Sequence, residues 1–349
     1  MRRAGELALD RRAAPWSIGP EGWFAEVERL RTLFARLAGA DPDGVAIVPA
    51  TSYGLAVAAA NIEPAAGDRV VLLAGDFPST VHTWTAWAER GGAEVLTVEP
   101  SEARGWTEPL LDSLDERVRV VSVPSVHWTD GSVVDLERVA GRAREIGALL
   151  VVDATQSLGA MPLDLAAVRP DYLVVAGYKW LLGPLGTSYL YVAPEHRDGR
   201  PLEENWANRI GAEDFEHVTP LASGYRPGAR RFDAGQRSNF VLVPMAAAAL
   251  EQVLVWGADG IAAALAPVTH RIEEEARARG LDPLPARLRG PHMLGIRLPA
   301  GRASGLAGRL AEDKVHVEIL GSVMRVSPHL HTTEEDLGRL CEALATQRA

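Results

Sequence analysis

The sequence predicts an α/β protein with two unequal parts. A large domain, residues 20–245, is built on a mostly parallel seven-stranded sheet, and residues 1–19 and 246–349 make a smaller, largely C-terminal α+β domain. Three observations predict this. Seven short runs rich in Val and Leu recur between residues 44 and 193, without the polar alternation of a sheet that is wet on one face. Most of the intervals between them are long enough for a crossover helix. At 349 residues the chain exceeds one small core and suits two domains.

The elements follow in chain order. Trp23, Phe24, Val27, Leu30, Phe34 and Leu37 recur at helical spacing and predict a leading helix with one buried face. The strands are then GVAIV (44–48), RVVLLAG (69–75), AEVLTV (93–98), RVRVVSV (117–123), ALLVVDA (148–154), YLVVAGY (172–178) and TSYLYVA (187–193). Strands buried on both faces read this way. Only KWLLGPLG separates the last two, so that pair is expected to be antiparallel. Residues 194–238 are polar, rich in Gly, Pro and Arg, and without periodicity; so long a connection is usually functional. PMAAAALEQVLVWG (244–257) is helical again. From 258 the pattern is helix, a few strands and a closing helix at 332–345, with no internal repeat.

Composition narrows the function. Lys and Arg number 36 against 46 Asp and Glu, a net charge of −10, which counts against nucleic acid or an anionic membrane as partner. The single cysteine, Cys341, excludes an internal disulfide framework and a zinc site built on several thiolates. No run approaches the roughly 20 apolar residues of a membrane span. The N-terminus, MRRAGELALDRRAAPW, has no apolar signal core, so a cytoplasmic address is expected. The motifs GxxxxGK[ST], GxGxxG, HExxH and GxSxG do not occur.

The informative stretch is VVDATQSLGAMPLDLAAVRPDYLVVAGYKWLLGPLG, residues 151–186. Asp153 and Gln156 close one buried strand. Lys179 closes the next, beside Val174, Val175, Trp180 and Leu181. Both ends lie at the carboxyl edge of the sheet, where open α/β sheets bind ligands. Pyridoxal 5′-phosphate (PLP) has needs that match: a lysine amine for its aldehyde, and a buried carboxylate to keep its pyridine nitrogen protonated as an electron sink. Taken singly, Lys179 also reads as a surface lysine and Asp153 as a helix cap.

This stretch resembles the class V aminotransferase family, of PLP fold type I, which includes cysteine desulfurases, kynureninase and the isopenicillin N epimerase group. The resemblance runs from about residue 20 to the end. It is densest at 151–186, where D-x-x-Q is followed by a lysine 26 residues beyond the aspartate. It implies that Lys179 is the Schiff-base lysine, that Asp153 pairs with the pyridinium, that Gln156 bonds the phenolic oxygen and that Tyr178 binds the phosphate. Thr51 and Ser52, in PATSYGLAVAAA, match the family's phosphate-binding turn, with an ordinary helix cap as the alternative. Tyr53 beside them has no assigned role. Phe77, in GDFPST, matches the residue that stacks on the cofactor ring, with His82 and Trp84 as nearby rivals.

His127 and Trp128, in SVHWTDG, match a loop near the substrate. Gln236, Arg237 and Ser238, in RRFDAGQRSNF, match a segment through which a neighbouring subunit helps bind the phosphate, implying a homodimer with composite sites. Arg325, in MRVSPHLHTTEEDL, matches the arginine that grips the substrate α-carboxylate, a task that suits a planar guanidinium. His329 and His331 lie two apart without an evident third ligand, so no metal is expected.

The implied activity is Lys179-based α-carbanion chemistry on an amino-acid substrate: amino transfer, or C–S and β-elimination. Epimerisation or racemisation is the alternative within the family. Outside it stand a cofactor-free enzyme using Asp153 and His127 as acid and base, and a non-catalytic scaffold. Cys341 falls in the closing helix, which disfavours a persulfide mechanism. Gln156 stands where a histidine would mark a kynureninase, and DFPS with VHWTDG leans toward the epimerase and C–S lyase side. Two features depart from the family. The segment ahead of the leading helix is short, and Leu320 stands where relatives often carry an arginine. Both bear on substrate choice.

Overall fold

A computed structural model describes residues 1–216, 224–299, 301 and 303–345. All seven expected strands are present: Val45–Val48 (β1), Arg69–Leu73 (β2), Glu94–Val98 (β3), Val118–Pro124 (β4), Leu149–Asp153 (β5), Tyr172–Ala176 (β6) and Ser188–Val192 (β7). They form one sheet in the order β1-β7-β6-β5-β4-β2-β3. From β6 through β3 the neighbours are parallel. β7 is antiparallel to both β6 and β1, because the link between β6 and β7 is too short for a crossover. Two antiparallel steps return β1 to the direction of β6. The chain segments leaving β1, β2, β4, β5 and β6 therefore meet at one edge of the sheet.

One strand departs from the expected double burial. β3 is an edge strand that leaves Glu94, Val95 and Thr97 exposed. Its Glu94 accepts a 2.9 Å bond from Arg69 of β2.

The large-unit helices are Arg2–Arg12 (α1), Pro20–Ala38 (α2), Thr51–Asn61 (α3), Pro78–Gly91 (α4), Thr107–Asp112 (α5), Leu136–Ile146 (α6), Leu165–Val168 (α7) and Leu242–Trp256 (α8). On one face of the sheet α2, α6 and α8 bury Leu30, Phe34, Val139 and Leu250. On the other, α3 and α4 bury Leu55, Trp84 and Trp87. The domain boundary expected at 245 falls inside α8, whose Val243, Ala246, Ala247 and Leu250 belong to the large core. α1, expected with the smaller domain, lies on α8 with Gly5 against Met245. An apolar face repeating through a continuous helix leaves no break at 245.

The described part of the long 194–238 connection has few helical turns, yet it is firmly anchored. Asp233 is fully buried, accepts from the backbone of Ile47 at 2.7 Å, and pairs with the fully buried Arg31 at 2.7 Å. Arg31 also donates to the carbonyl of Val45. Residues 217–223 of this connection lie outside the described residues.

The second sheet is antiparallel, in the order β10-β11-β9-β8, from Asp282–Pro283 (β8), Leu294–Arg297 (β9), Glu318–Leu320 (β10) and Val323–Val326 (β11). Ala258–Ala278 (α9), Leu306–Glu312 (α10) and Glu334–Ala345 (α11) cover it with a core that includes Ile272, Leu294, Ile296, Met324 and Leu340. This sheet is tied to the carboxyl edge of the first. Arg325 donates to the carbonyl of Trp128 at 2.6 Å, and His292 Nε2 donates to the carbonyl of Gln156 at 2.5 Å. Gly295 permits the approach, since a Cβ there would collide with Asp130.

Candidate active site

The strand ends deliver side chains to one place. β5 ends in Asp153, and the turn after it carries Gln156. β6 leads into Gly177, Tyr178 and Lys179. Gly177 has no room for a side chain against the backbone of Thr187, so the turn that presents the lysine needs glycine there. A cavity of about 230 Å³ is lined by Thr51, Phe77, Trp128, Asp153, Gln156, Tyr178, Lys179 and Arg325. These residues come from five loops of the large sheet and from β11.

The electrostatics follow from burial. Asp153 accepts from the backbone of Thr155 at 2.9 Å, and desolvation pushes its carboxyl above the usual range. Desolvation and the charge of Arg325 hold the Lys179 amine below its ordinary range. Lys179 Nζ lies 5.4 Å from the centre of the Tyr178 ring. Gln156 is oriented from two sides. Its Oε1 accepts from Trp180 at 3.1 Å while His292 holds its carbonyl, which leaves the amide N–H groups for a ligand. Trp128 donates to the carbonyl of Gly75 at 2.8 Å and meets the Phe77 ring edge to face at 5.5 Å.

Several residues singled out from sequence lie elsewhere. His127 is buried, with Nε2 at 3.2 Å from the carbonyl of Ala74 and Nδ1 at 2.8 Å from the Thr129 hydroxyl, and its ring stacks on Trp106. Both nitrogens are spent on the turn, so His127 shapes the loop that presents Trp128 instead of contacting a substrate. Arg237 lines another cavity with Gln236 and Tyr53. Its side chain is fully buried, 2.9 Å from Asp233, and donates to the carbonyl of Ala207. Ser238 donates to the carbonyl of Trp23. Gln236 is exposed and lines a separate cavity with Trp23 and Phe240. Ser52 is exposed in the first turn of α3. Tyr53 faces a different cavity near Glu203, His82 is exposed on α4, and Trp84 is core. Cys341 sits half-buried on α11, its thiol pushed up by burial.

Two acids at the site were not anticipated. Asp76 immediately precedes Phe77 and lines the same cavity. Its Oδ1 accepts from the Phe77 backbone at 2.6 Å, whereas Oδ2 is buried without a hydrogen-bond partner among the described residues. Desolvation, together with the charge of Asp153, pushes its carboxyl up to about 7. An acid just past a strand at the ligand edge was the available signal. Glu318 lies opposite Arg325 across the β10–β11 pair and also lines the cavity, a placement with no local sequence signal.

The residues present fit PLP. The rings of Phe77 and Tyr178 stay 39% and 42% exposed beside the lysine, as apolar faces that a flat ring would cover. α3 begins without a side-chain cap, so the hydroxyl of Thr51 and the first backbone N–H groups are available to an anion. Asp153 is a half-buried, desolvated carboxylate that a protonated ring nitrogen would satisfy.

Known proteins match this chain along nearly its whole length. The profile of the family described as Aminotransferase class-V matches residues 22–340. The Bacillus subtilis (strain 168) protein described as uncharacterized aminotransferase YcbU is 32% identical over 331 residues, 93% of this chain and 85% of that protein. Isopenicillin N epimerase of Streptomyces clavuligerus is 26% identical over 335 residues, 90% and 83% of the two chains. Among solved structures, the cystine C–S lyase C-DES in complex with its product cysteine persulfide matches with a TM-score of 0.86. That match covers 98% of this chain and 93% of the other at 19% identity, a likeness of fold.

Proposed function

The chain belongs to the class V aminotransferase family and is a PLP-dependent enzyme of amino-acid chemistry; from that premise we propose that Lys179 carries the reaction and that Asp153, Gln156, Thr51, Tyr178 and Phe77 hold the cofactor. The observation that carries the proposal is the meeting of Asp153, Gln156, Lys179 and Arg325 in one cavity.

Bound there, the cofactor supplies an electron sink for a bond broken at the substrate α-carbon. Lys179 would hold it covalently through Nζ. The lowered basicity of this amine raises its neutral fraction, which serves first as nucleophile and later as base toward the α-proton. Asp153 would set its charge against the ring nitrogen, a partner that offsets the desolvation pushing its carboxyl up. Gln156 would donate its amide N–H to the phenolic oxygen. Thr51, the N-terminus of α3 and the Tyr178 hydroxyl would take the phosphate, and Phe77 would cover a ring face. Arg325, itself fixed by the Trp128 carbonyl, would orient the substrate through its α-carboxylate.

Abstraction of the α-proton by Lys179 is common to amino transfer and β-elimination, the reaction classes proposed; epimerisation differs in returning that proton to the opposite face. We further propose a homodimer, a cytoplasmic setting, and a division of the chain at Gly257, between α8 and α9. Among the described residues no single helix is long and apolar enough to cross a membrane.

The test is a visible absorbance spectrum of the purified protein before and after borohydride. The expected result is a cofactor band whose reduced adduct maps to Lys179. Lys179→Ala should lose the adduct and roughly 10³-fold or more of turnover. A colourless protein that takes up no added PLP overturns the proposal.

A further inference from the structure

A second cavity opens from the first. It encloses about 630 Å³ and shares Gln156, Lys179 and Arg325 with the reactive site. Its other walls include Trp180, Leu182, Trp256, His329, Leu330 and His331. The rings among them are ordered. Trp180 and His329 stack at 5.7 Å and 27°, and His329 and His331 stack at 5.9 Å and 24°. Trp256 leans on His329 at 6.0 Å and 58°. Trp180 is held in place by Gln156 and by the edge-on ring of His292. A row of nearly parallel ring faces therefore begins directly beside the reactive lysine.

The charge of this cavity is as informative as its shape. Among the described residues no acidic side chain lines it, and the cations there are Lys179 and Arg325, which the reaction already uses. Burial and the neighbouring His331 hold the His329 imidazole below its ordinary range, so it is neutral at neutral pH. At the rim, Trp256 and Leu330 each keep 38% of their surface in water. A methyl or thiol side chain would leave most of the volume to water against apolar walls. A charged side chain would find no opposite charge there beyond the two groups the reaction already uses. A flat, uncharged ring would cover the apolar rim and find stacking faces.

Resting on the reading above, we propose that this cavity is the side-chain subsite for an amino acid with an uncharged aromatic side chain. Its α-carboxylate lies on Arg325 and its ring against Trp180, His329 and Trp256. These rings determine specificity, whereas the cofactor residues determine chemistry.

The experiment titrates the PLP-loaded enzyme with L-phenylalanine, L-tryptophan, L-alanine and L-aspartate, and follows the cofactor's visible band as a measure of binding. Half-saturation by the aromatic pair is expected at a concentration about tenfold or more below that for alanine or aspartate. Trp256→Ala should raise the aromatic values about tenfold and move alanine less than twofold. Leu330→Asp, at an exposed position where folding is not at stake, should weaken aromatic binding in the same way. Equal half-saturation across the four amino acids, or variants that shift all four alike, overturns the subsite. A protein with no cofactor band and no borohydride adduct on Lys179 instead overturns the PLP reading beneath it, and the two failures are distinct.

Discussion

Asp76 shows what this cavity does to a single carboxyl. It is 6% exposed, and one oxygen has no hydrogen-bond partner among the described residues, so ionisation is paid for in lost hydration. Its folded-state value of about 7 lies above the ordinary 3.8. Protonated Asp76 is therefore tolerated below about pH 4, and stability is lost as pH rises through about 7. Asp76→Asn cannot ionise. In the cofactor-free protein it should match wild type near pH 4 and exceed it at pH 8 by about 1–4 kcal/mol, read from denaturant unfolding. Parallel stability curves for the two proteins across that range would show that Asp76 is not the source.

At the scale of elements, the long connection before α8 depends on a buried charge cluster more than on regular structure. Arg31 of α2, Asp233 and Arg237 are all buried, and Asp233 also caps the backbone of β1 at Ile47. Removing one member of such a group leaves the others desolvated and unpaired, whereas replacing all of them with apolar side chains removes the penalty. Asp233→Ala should cost roughly 3–5 kcal/mol in urea unfolding. The triple variant Arg31→Met, Asp233→Leu, Arg237→Met should recover most of that loss. A triple variant as unstable as Asp233→Ala would mean that the cluster contributes net stability.

At the scale of the molecule, the two sheets meet at the candidate site, and its cavity is completed by Arg325 and Glu318 from the smaller one. The surface around α1 and the 194–238 connection leaves Trp16, Trp206 and Phe215 exposed, with Trp16 at 84%. Exposed aromatics of this kind anchor protein interfaces. The proposed homodimer should sediment at about twice the 37.5 kDa of one chain. Trp16→Glu, which disturbs no packing within the subunit, should raise the dimer dissociation constant about tenfold or more. A monomer at micromolar concentration in wild type would refute the dimer, and an unchanged dissociation constant in the variant would remove Trp16 from its interface.

The sheet was legible because strands buried on both faces must be continuously apolar, and each such run is a local pattern. Asp153, Gln156 and Lys179 stand at the exits of two such strands, so their meeting in one cavity follows once β5 and β6 pair. β3 has the apolar composition of the other strands, yet strand order places it at the edge, where it is exposed. His127 is held by the backbone of a distant segment, and Arg237 lies beside a buried pair. The decisive partner of His127, Ala74, is 53 residues away, and the buried pair beside Arg237 joins Arg31 to Asp233 across 202 residues. The chain's own sequence thus determined the strands of the sheet and the candidate residues at their ends. The packing of distant segments decided which histidine was held by backbone, where Glu318 and Asp76 entered the site, and how Trp180, Trp256 and His329 lined up beside the lysine. A contact between residues far apart in the chain leaves no periodicity to read, because its energy depends on burial that exists only once the two sheets have met.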